Sequence, residues 1–578
     1  MKRALLILAM LAVASAASAQ RPSQKPVAAK ASAPSLHTKI SPDLVNLSAD
    51  SEVDVIVQWE QRPMPASLRS LCGNQLEIRA TLDVVNGAVV RLPAEGLGCL
   101  AELPDVTYIS LDRPVAPALD FAPSAVNGQI ASNFGWDGDG IGIAIIDSGI
   151  SDHLDLRDSK NKKSRVVYSE SFVSSRLTRD EYGHGTHVAG ILAGDGTSST
   201  GPNFVRTFRG IAPGVRLVNL RVLDDSGRGT DSAVIAAIER AIELKDNYNI
   251  RVINLSLGRP VFESHQQDPL CQAVEAAWRA GIVVVVAAGN HGRENSLGQQ
   301  GYGTITAPGN SPFVITVGAM KTVGTANRSD DEIASYSSKG PTALDHFVKP
   351  DLVAPGNRIA SLIASGSQLT SSFPGNQVPL SYYSVSASEQ GSSQYYRLNG
   401  TSMAAPVVSG AAALLLEKEP ELTPDQVKAR LMLTASKSFP AFTIATDPAT
   451  GISYTSQYDI FTVGAGYLDI WAALSSSEVS EGSALSPTAV LDEDTGLVFL
   501  VSDTSAVWGT SAAWGTSAVW GTNAFVDGNS AVWGTSAVWG TGTTEGFSAV
   551  WGTSAVWGTS AVWGTAATSQ RVSIEGER

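Results

Sequence analysis

Gly142-Ile143-Ala144-Ile145-Ile146-Asp147-Ser148-Gly149 is an unbroken apolar, largely β-branched run that stops at a carboxylate and a turn. A strand with one wet face alternates apolar and polar residues, whereas a continuous run is what a strand covered on both faces looks like. Four further runs are largely apolar, broken only by a few polar residues: Val215 to Val222, Val252 to Leu257, Ile282 to Ala288 and Phe313 to Val317. Between them lie amphipathic helical patterns, Asp231 to Leu244, with Asp231 as its expected cap, and Gln272 to Ala280. Strand and helix in alternation predict an α/β fold, a parallel central sheet with helices on both faces.

Outside this region the texture changes. Lys2 and Arg3, the apolar run Ala4 to Val13 and Ala17-Ser18-Ala19 read as a signal peptide over 1–19, too short to span a membrane. This predicts an exported, secreted or cell-envelope protein. Residues 20–48, rich in Pro, Ala, Ser and Lys, read as a flexible leader. Residues 49–115 form a small α+β pattern: strands at Val53 to Trp59, Gly87 to Leu92 and Val106 to Leu111, and a short helix at Leu97 to Leu103. Cys72 and Cys99 fall inside this unit, where export permits pairing, while Cys271 reads as a buried small hydrophobe.

Residues 476–504 form a linker, and over 505–565 the hexapeptide Ser-Ala-Val-Trp-Gly-Thr recurs, with Trp508, Trp514, Trp520, Trp533, Trp539, Trp551, Trp557 and Trp563 in step apart from one inserted residue. A period of six puts every ring on one face of an extended chain. Such a repeat could stack into a small β-solenoid or present its rings to surfaces or polysaccharides. Residues 566–578 are a tail. A formal net charge of −14 argues against nucleic acid as a partner, because phosphate binding needs a basic patch.

Three segments end in chemically useful side chains. Asp147 closes the first strand, at the C-terminal end, where reactive groups gather on open α/β sheets. His184 lies in Gly183-His184-Gly185-Thr186-His187, where a loop enters a helix, and Ser402 lies in Asn399-Gly400-Thr401-Ser402-Met403-Ala404-Ala405-Pro406. Pro406 is expected in a first helical turn, which has no donor to lose. A lone aspartate after a strand is usually a turn residue and a lone serine at a helix start usually a cap. Three such motifs in the order Asp, His, Ser are another matter.

Over about 340 residues these motifs resemble those of the subtilisin-like serine peptidases. The resemblance implies a serine endopeptidase with Ser402 as nucleophile, His184 as base and Asp147 orienting the base. It implies an oxyanion hole from the Ser402 N–H and Asn290, in Val286-Ala287-Ala288-Gly289-Asn290. It further implies substrate binding by Ser256-Leu257-Gly258 and by Gly227-Arg228-Gly229, with Thr306 in a far pocket wall, Gly303 to Gly309, that carries no acid and so suits an apolar side chain. His187 is expected to be a packed helix residue.

In the same terms 116–475 is the catalytic domain and 49–115 an inhibitory propeptide, a partner carried in the same chain and cut off between about Pro114 and Ser124. Protein and peptide substrates are the other implied partners. No cofactor is needed for the chemistry. Some relatives ligate calcium at the position of Asp155, in His153-Leu154-Asp155-Leu156, but the remaining ligands have no match, so a structural calcium stays open. The alternative from another class is a surface-binding or adhesion protein with a restricted or vestigial peptidase; intact Asp147, His184, Asn290 and Ser402 speak against it.

Overall fold

The computed structural model describes most of residues 51–111 and nearly all of 121–501, with isolated positions elsewhere, Glu577 among them. The signal peptide, nearly all of the leader and most of the expected cleavage segment lie outside the described residues, as does the hexapeptide repeat apart from Val532–Trp533 and Ala537–Val538, which pair as antiparallel strands. The chain divides into two units, Met1–Val115 and Ala116–Arg578.

In the first unit β1 (Glu52–Trp59) is central, flanked by β3 (Gly87–Pro93) and β4 (Val106–Leu111), with β2 (Glu77–Leu82) beyond β3. The pairings among these four strands are antiparallel. Val53, Val55, Val57 and Trp59 all bury, which is the alternation the sequence carries, and Leu97 and Leu100 of helix α1 (Leu97–Glu102) close the core. Strand β2 escapes sequence reading because most of its side chains are exposed and it lacks an apolar alternation. Cys99 is disulfide-bonded, and its expected partner Cys72 lies outside the described residues.

The second unit is built on an eight-stranded sheet. Its order places β6 (Val166–Ser171) and β7 (Arg216–Arg221) on one side of β5 (Gly142–Asp147), and β8 (Ile250–Leu255), β9 (Val283–Ala287) and β10 (Ile315–Lys321) on the other. Strand β11 (Glu332–Ile333) pairs antiparallel to β10, and β12 (Leu352–Pro355) parallel to it; all the other pairings are parallel. From β5 the chain passes to β6 at the edge, returns inward to β7, then crosses to β8 and moves outward through β9 and β10, so the connections change direction beside β5, whose carboxyl end is where such sheets place ligands. Helix α2 (Gly185–Ala193) is buried along its length, and so is α5 (Thr401–Lys418) from Thr401 to Leu416. A helix without a wet face belongs in a core, and α5 packs on β8, β9, β10, β12 and α2.

Three local expectations are corrected. Helix α3 (Asp231–Glu243) is capped by Thr230, whose Oγ1 accepts the Ala233 N–H at 3.3 Å. Asp231 is its first helical residue and binds the Arg259 guanidinium instead, at 2.9 Å. Helix α4 (Pro269–Arg279) starts earlier than its apolar pattern, because Asp268 accepts the Leu270 N–H at 2.9 Å and Pro269 takes the position where a missing N–H costs nothing. Pro406 lies inside α5, past the first turn, and therefore does remove an intrahelical donor. Cys271 is buried and free, as expected of a small hydrophobe.

Candidate active site

Asp147 ends β5 and is buried, and its Oδ1 lies 2.8 Å from Nδ1 of His184, also buried. The same oxygen accepts the Ser148 N–H at 2.7 Å. His184 immediately precedes α2, and its loop is held by a residue the motif reading passed over. Asp180 accepts from Ser148 Oγ at 2.8 Å, from the Gly183 N–H at 2.6 Å and from the Thr186 N–H at 2.8 Å. Burial raises the pKa of Asp180 against the pull of those three donors. Ser148 Oγ in turn accepts the Gly185 N–H at 2.9 Å, so one carboxylate and one hydroxyl tie the Asp147 strand to the His184 loop. The signal for Asp180 was its place three residues before Gly183, but a lone loop aspartate carries no such meaning until the fold brings the donors round it.

Ser402 is the second residue of α5, so its N–H belongs to the first turn, where helix donors are left without intrahelical acceptors. Its Oγ donates to the Ser256 carbonyl at 3.0 Å, and Ser256 Oγ donates back to the Ser402 carbonyl at 2.8 Å. That carbonyl is the one a residue-406 N–H would have bonded; Pro406 has none, and Ser256 supplies the missing donor. Asn254 Nδ2 donates to Ser256 Oγ at 2.9 Å and Ser409 Oγ to Asn254 Oδ1 at 2.9 Å, extending the chain down the helix.

Asn290 is fixed through its amide oxygen, which accepts the Thr401 N–H at 2.9 Å and Thr401 Oγ1 at 3.1 Å. Its Nδ2 faces Gly400: a Cβ there would lie 3.0 Å from it, on a backbone with φ of +139°. Only glycine keeps that space clear without strain. The structure thus brings Asn290 to the start of the helix that carries Ser402.

The expected substrate-binding residues fall on both sides of this centre. Tyr182, two residues before His184, packs so closely on Gly227 that a Cβ on the glycine would meet the ring at 2.6 Å. Gly227, Arg228 and Gly229 form a turn whose Arg228 carbonyl accepts the Asp224 N–H at 2.8 Å. On the other side Arg259 and Ala307 exchange backbone hydrogen bonds at 2.9 and 2.8 Å, and a Cβ on Gly258 would lie 2.5 Å from Thr306 Oγ1. A pocket beside them is lined by Gly303, Thr304, Ile305, Thr306, Pro260, Val261, His291 and Ala343, with no carboxylate.

His187 packs inside α2 with Nε2 3.1 Å from the carbonyls of Ile359 and Tyr396, and burial pushes its pKa down to about 3. Asp155 does not fit a calcium site: it is buried, and its two oxygens accept the Ser198 N–H at 2.8 Å and Tyr395 Oη at 2.7 Å. Calcium needs several oxygens turned inward on an open position, and this carboxylate is already shared between protein donors. Among the described residues no group of three or more His, Cys, Asp or Glu could hold a metal ion, and no helix is long and apolar enough to cross a membrane.

A hydrogen-bonded Asp–His pair at a sheet's switch point, with a serine at a helix start beside an amide-bearing asparagine, defines a serine peptidase site of the subtilisin type. Comparison with known proteins agrees: the subtilase family model matches residues 138–460, and the chain belongs to that family. It is a subtilisin-type serine endopeptidase. It is 38% identical to serine protease AprX of Bacillus subtilis (strain 168) over 337 residues, 57% of this chain and 69% of that protein. Subtilisin E of the same organism is 32% identical over 365 residues, 62% of this chain and 78% of its own. Subtilisin DY of Bacillus licheniformis is 37% identical over 305 residues, 52% and 86% of the two chains.

Proposed function

We propose that the chain is made as a secreted zymogen and cleaves proteins through an acyl-enzyme on Ser402. Ser402 Oγ attacks the peptide carbonyl carbon while its proton passes to His184 Nε2; the carbonyl electrons move to oxygen, giving an oxyanion. Asp147 holds the Nδ1 proton of His184, which fixes the tautomer and stabilises the imidazolium. The Ser402 N–H and Asn290 Nδ2 receive the oxyanion, a charge the substrate carbonyl does not carry, so they favour the transition state over the ground state. The carbon–nitrogen bond then breaks and the amine leaves with the proton from His184. Water repeats the sequence to release the acid and restore Ser402.

The observation that carries this reading is the buried 2.8 Å hydrogen bond between Asp147 and His184, with Asn290 and Ser402 joined through Thr401. Substrate lies extended between Ser256–Gly258 and Gly227–Gly229, as an added strand bound mainly through its backbone. Sequence demand is therefore slight, apart from an apolar side chain in the acid-free pocket beside Thr306. Residues 49–115 act as propeptide and inhibitor. The ring-per-hexapeptide pattern of 505–565 supports a role in contact with surfaces or polysaccharides.

The test compares wild type with Ser402→Ala by intact mass and casein hydrolysis. The proposal expects wild type to lose its N-terminal unit near residues 114–124 and digest casein, while the variant stays full length and inert. Two full-length, inert proteins would overturn it, and a mature start near Gln20 would overturn the zymogen part.

A further inference from the structure

Glu577, beyond the hexapeptide repeat, is buried in the second unit. An isolated carboxylate in such a place is strongly disfavoured, so its surroundings must supply donors. They do. One carboxylate oxygen accepts from Arg293 Nη2 at 2.8 Å, from the Ser335 N–H at 3.0 Å and from Ser335 Oγ. The other lies 3.3 Å from Lys321 Nζ.

The main chain is read as well. Asn357 Nδ2 donates to the Glu577 carbonyl at 2.9 Å, and Asn357 Oδ1 accepts the Glu577 N–H at 3.0 Å. One amide side chain thus pairs with both backbone groups of the residue, as a neighbouring strand would.

The receiving groups also have partners of their own. Arg293 donates through Nε to Ser335 Oγ at 2.7 Å, meets Asp447 at 3.2 Å through Nη1, and lies over the Tyr454 ring at 4.7 Å. Lys321 pairs with Glu332 at 2.8 Å. Arg293 and Lys321 therefore each have another anion. What selects Glu577 is directed donors at one point, together with the paired backbone.

We infer that Arg293, Lys321, Ser335 and Asn357 form a binding site for a glutamate residue within a peptide chain, and that Glu577 is its resident ligand, anchoring the segment beyond the repeat to the peptidase domain. The linker side of the repeat is anchored too, since Thr488 pairs with Phe347 and the Ala489 N–H bonds His346 at 2.8 Å. The repeat is then held to the domain at both sides. A cut within it leaves the distal piece bound.

The anchor touches the segments that carry the active site. Arg293 is three residues past Asn290, and Asn357 lies between Gly356, whose carbonyl accepts the Gly400 N–H at 2.9 Å, and Arg358, whose N–H bonds Asn399 Oδ1 at 2.5 Å.

The test uses the full chain carrying Ser402→Ala, to prevent self-digestion, with the recognition sequence of a site-specific protease inserted between Thr543 and Thr544. After nicking, native size exclusion and mass spectrometry ask whether the distal piece travels with the body. It should do so, should separate when Glu577→Ala is added, with binding weakened about 10²-fold or more, and should be displaced by a synthetic peptide of residues 568–578. Separation without the Glu577 substitution, or retention with it, overturns the inference. Circular dichroism of the nicked body checks that the substitution, which removes a partner of Arg293 and Lys321, leaves the body folded.

Discussion

Ser256 and Ser402 exchange hydrogen bonds, each hydroxyl donating to the other's carbonyl, at 2.8 and 3.0 Å. The pair links the first residue of the expected substrate-binding segment to the expected nucleophile, and its Ser256 hydroxyl takes the Ser402 carbonyl that Pro406 cannot bond. Ser256→Ala leaves that buried carbonyl unsatisfied and should cost about 1–3 kcal/mol. In the Pro406→Ala background the new N–H can take the carbonyl, and the cost of Ser256→Ala should shrink. A double-mutant cycle by urea unfolding, in inactive Ser402→Ala protein, measures this coupling. Additive costs would show that Pro406 does not set the need for Ser256.

Asp147→Asn keeps the shape of the pair but presents an amide to Nδ1, favouring the wrong tautomer. The turnover number should fall by about 10⁴-fold with KM nearly unchanged. Asn290→Ala removes one oxyanion donor and should lower turnover by about 10²–10³-fold, the loss known for the corresponding donor in subtilisin itself. Steady-state kinetics on an apolar chromogenic peptide reads both.

Asp180 is a positioning residue for the His184 loop. Asp180→Ala strips Gly183, Thr186 and Ser148 of their common acceptor, so the imidazole should drift. We expect turnover to fall by about 10²-fold, the scale of a 1 Å misplacement, with a shifted acid limb in the pH–rate profile. A loss of stability with kinetics intact would assign Asp180 to structure alone.

His187 contributes an acid-side instability. Its folded pKa, about 3, lies below the ordinary value of 6.5. The folded state therefore binds fewer protons than the unfolded one. The stability from His187 is present above pH 6.5 and is lost as pH falls toward 3, at up to about 1.4 kcal/mol per pH unit. In His187→Gln, where an amide N–H can still reach the Ile359 and Tyr396 carbonyls, the thermal midpoint should fall less steeply across that window. Parallel curves would contradict this.

How much of this was legible in the sequence follows from where the information sits. Strands β5, β7, β8, β9 and β10 could be read because both their faces bury, which leaves a largely apolar, β-branched stretch even where Arg or Asn interrupts it. Strand β6 is an edge strand with exposed alternate positions, and β12 is four residues ending in proline, so neither announces itself. The Thr230 cap lost to its neighbour because Asp231 is equally good as a cap by type and was claimed by Arg259, a tertiary partner. Asp147, His184, Asn290 and Ser402 were legible through their motifs. Asp180, His291 and Ala343 were not, since each gains its place only when distant segments meet. Glu577 is the extreme case: its partners Arg293 and Asn357 lie 284 and 220 positions away.

The most direct measurement of the central claim is covalent labelling with a serine-directed fluorophosphonate, followed by peptide mapping of the purified mature enzyme. The account predicts one adduct per molecule, on Ser402, formed in step with loss of peptidase activity and abolished in His184→Ala. An adduct on another serine, or full activity in a protein labelled at Ser402, would contradict it.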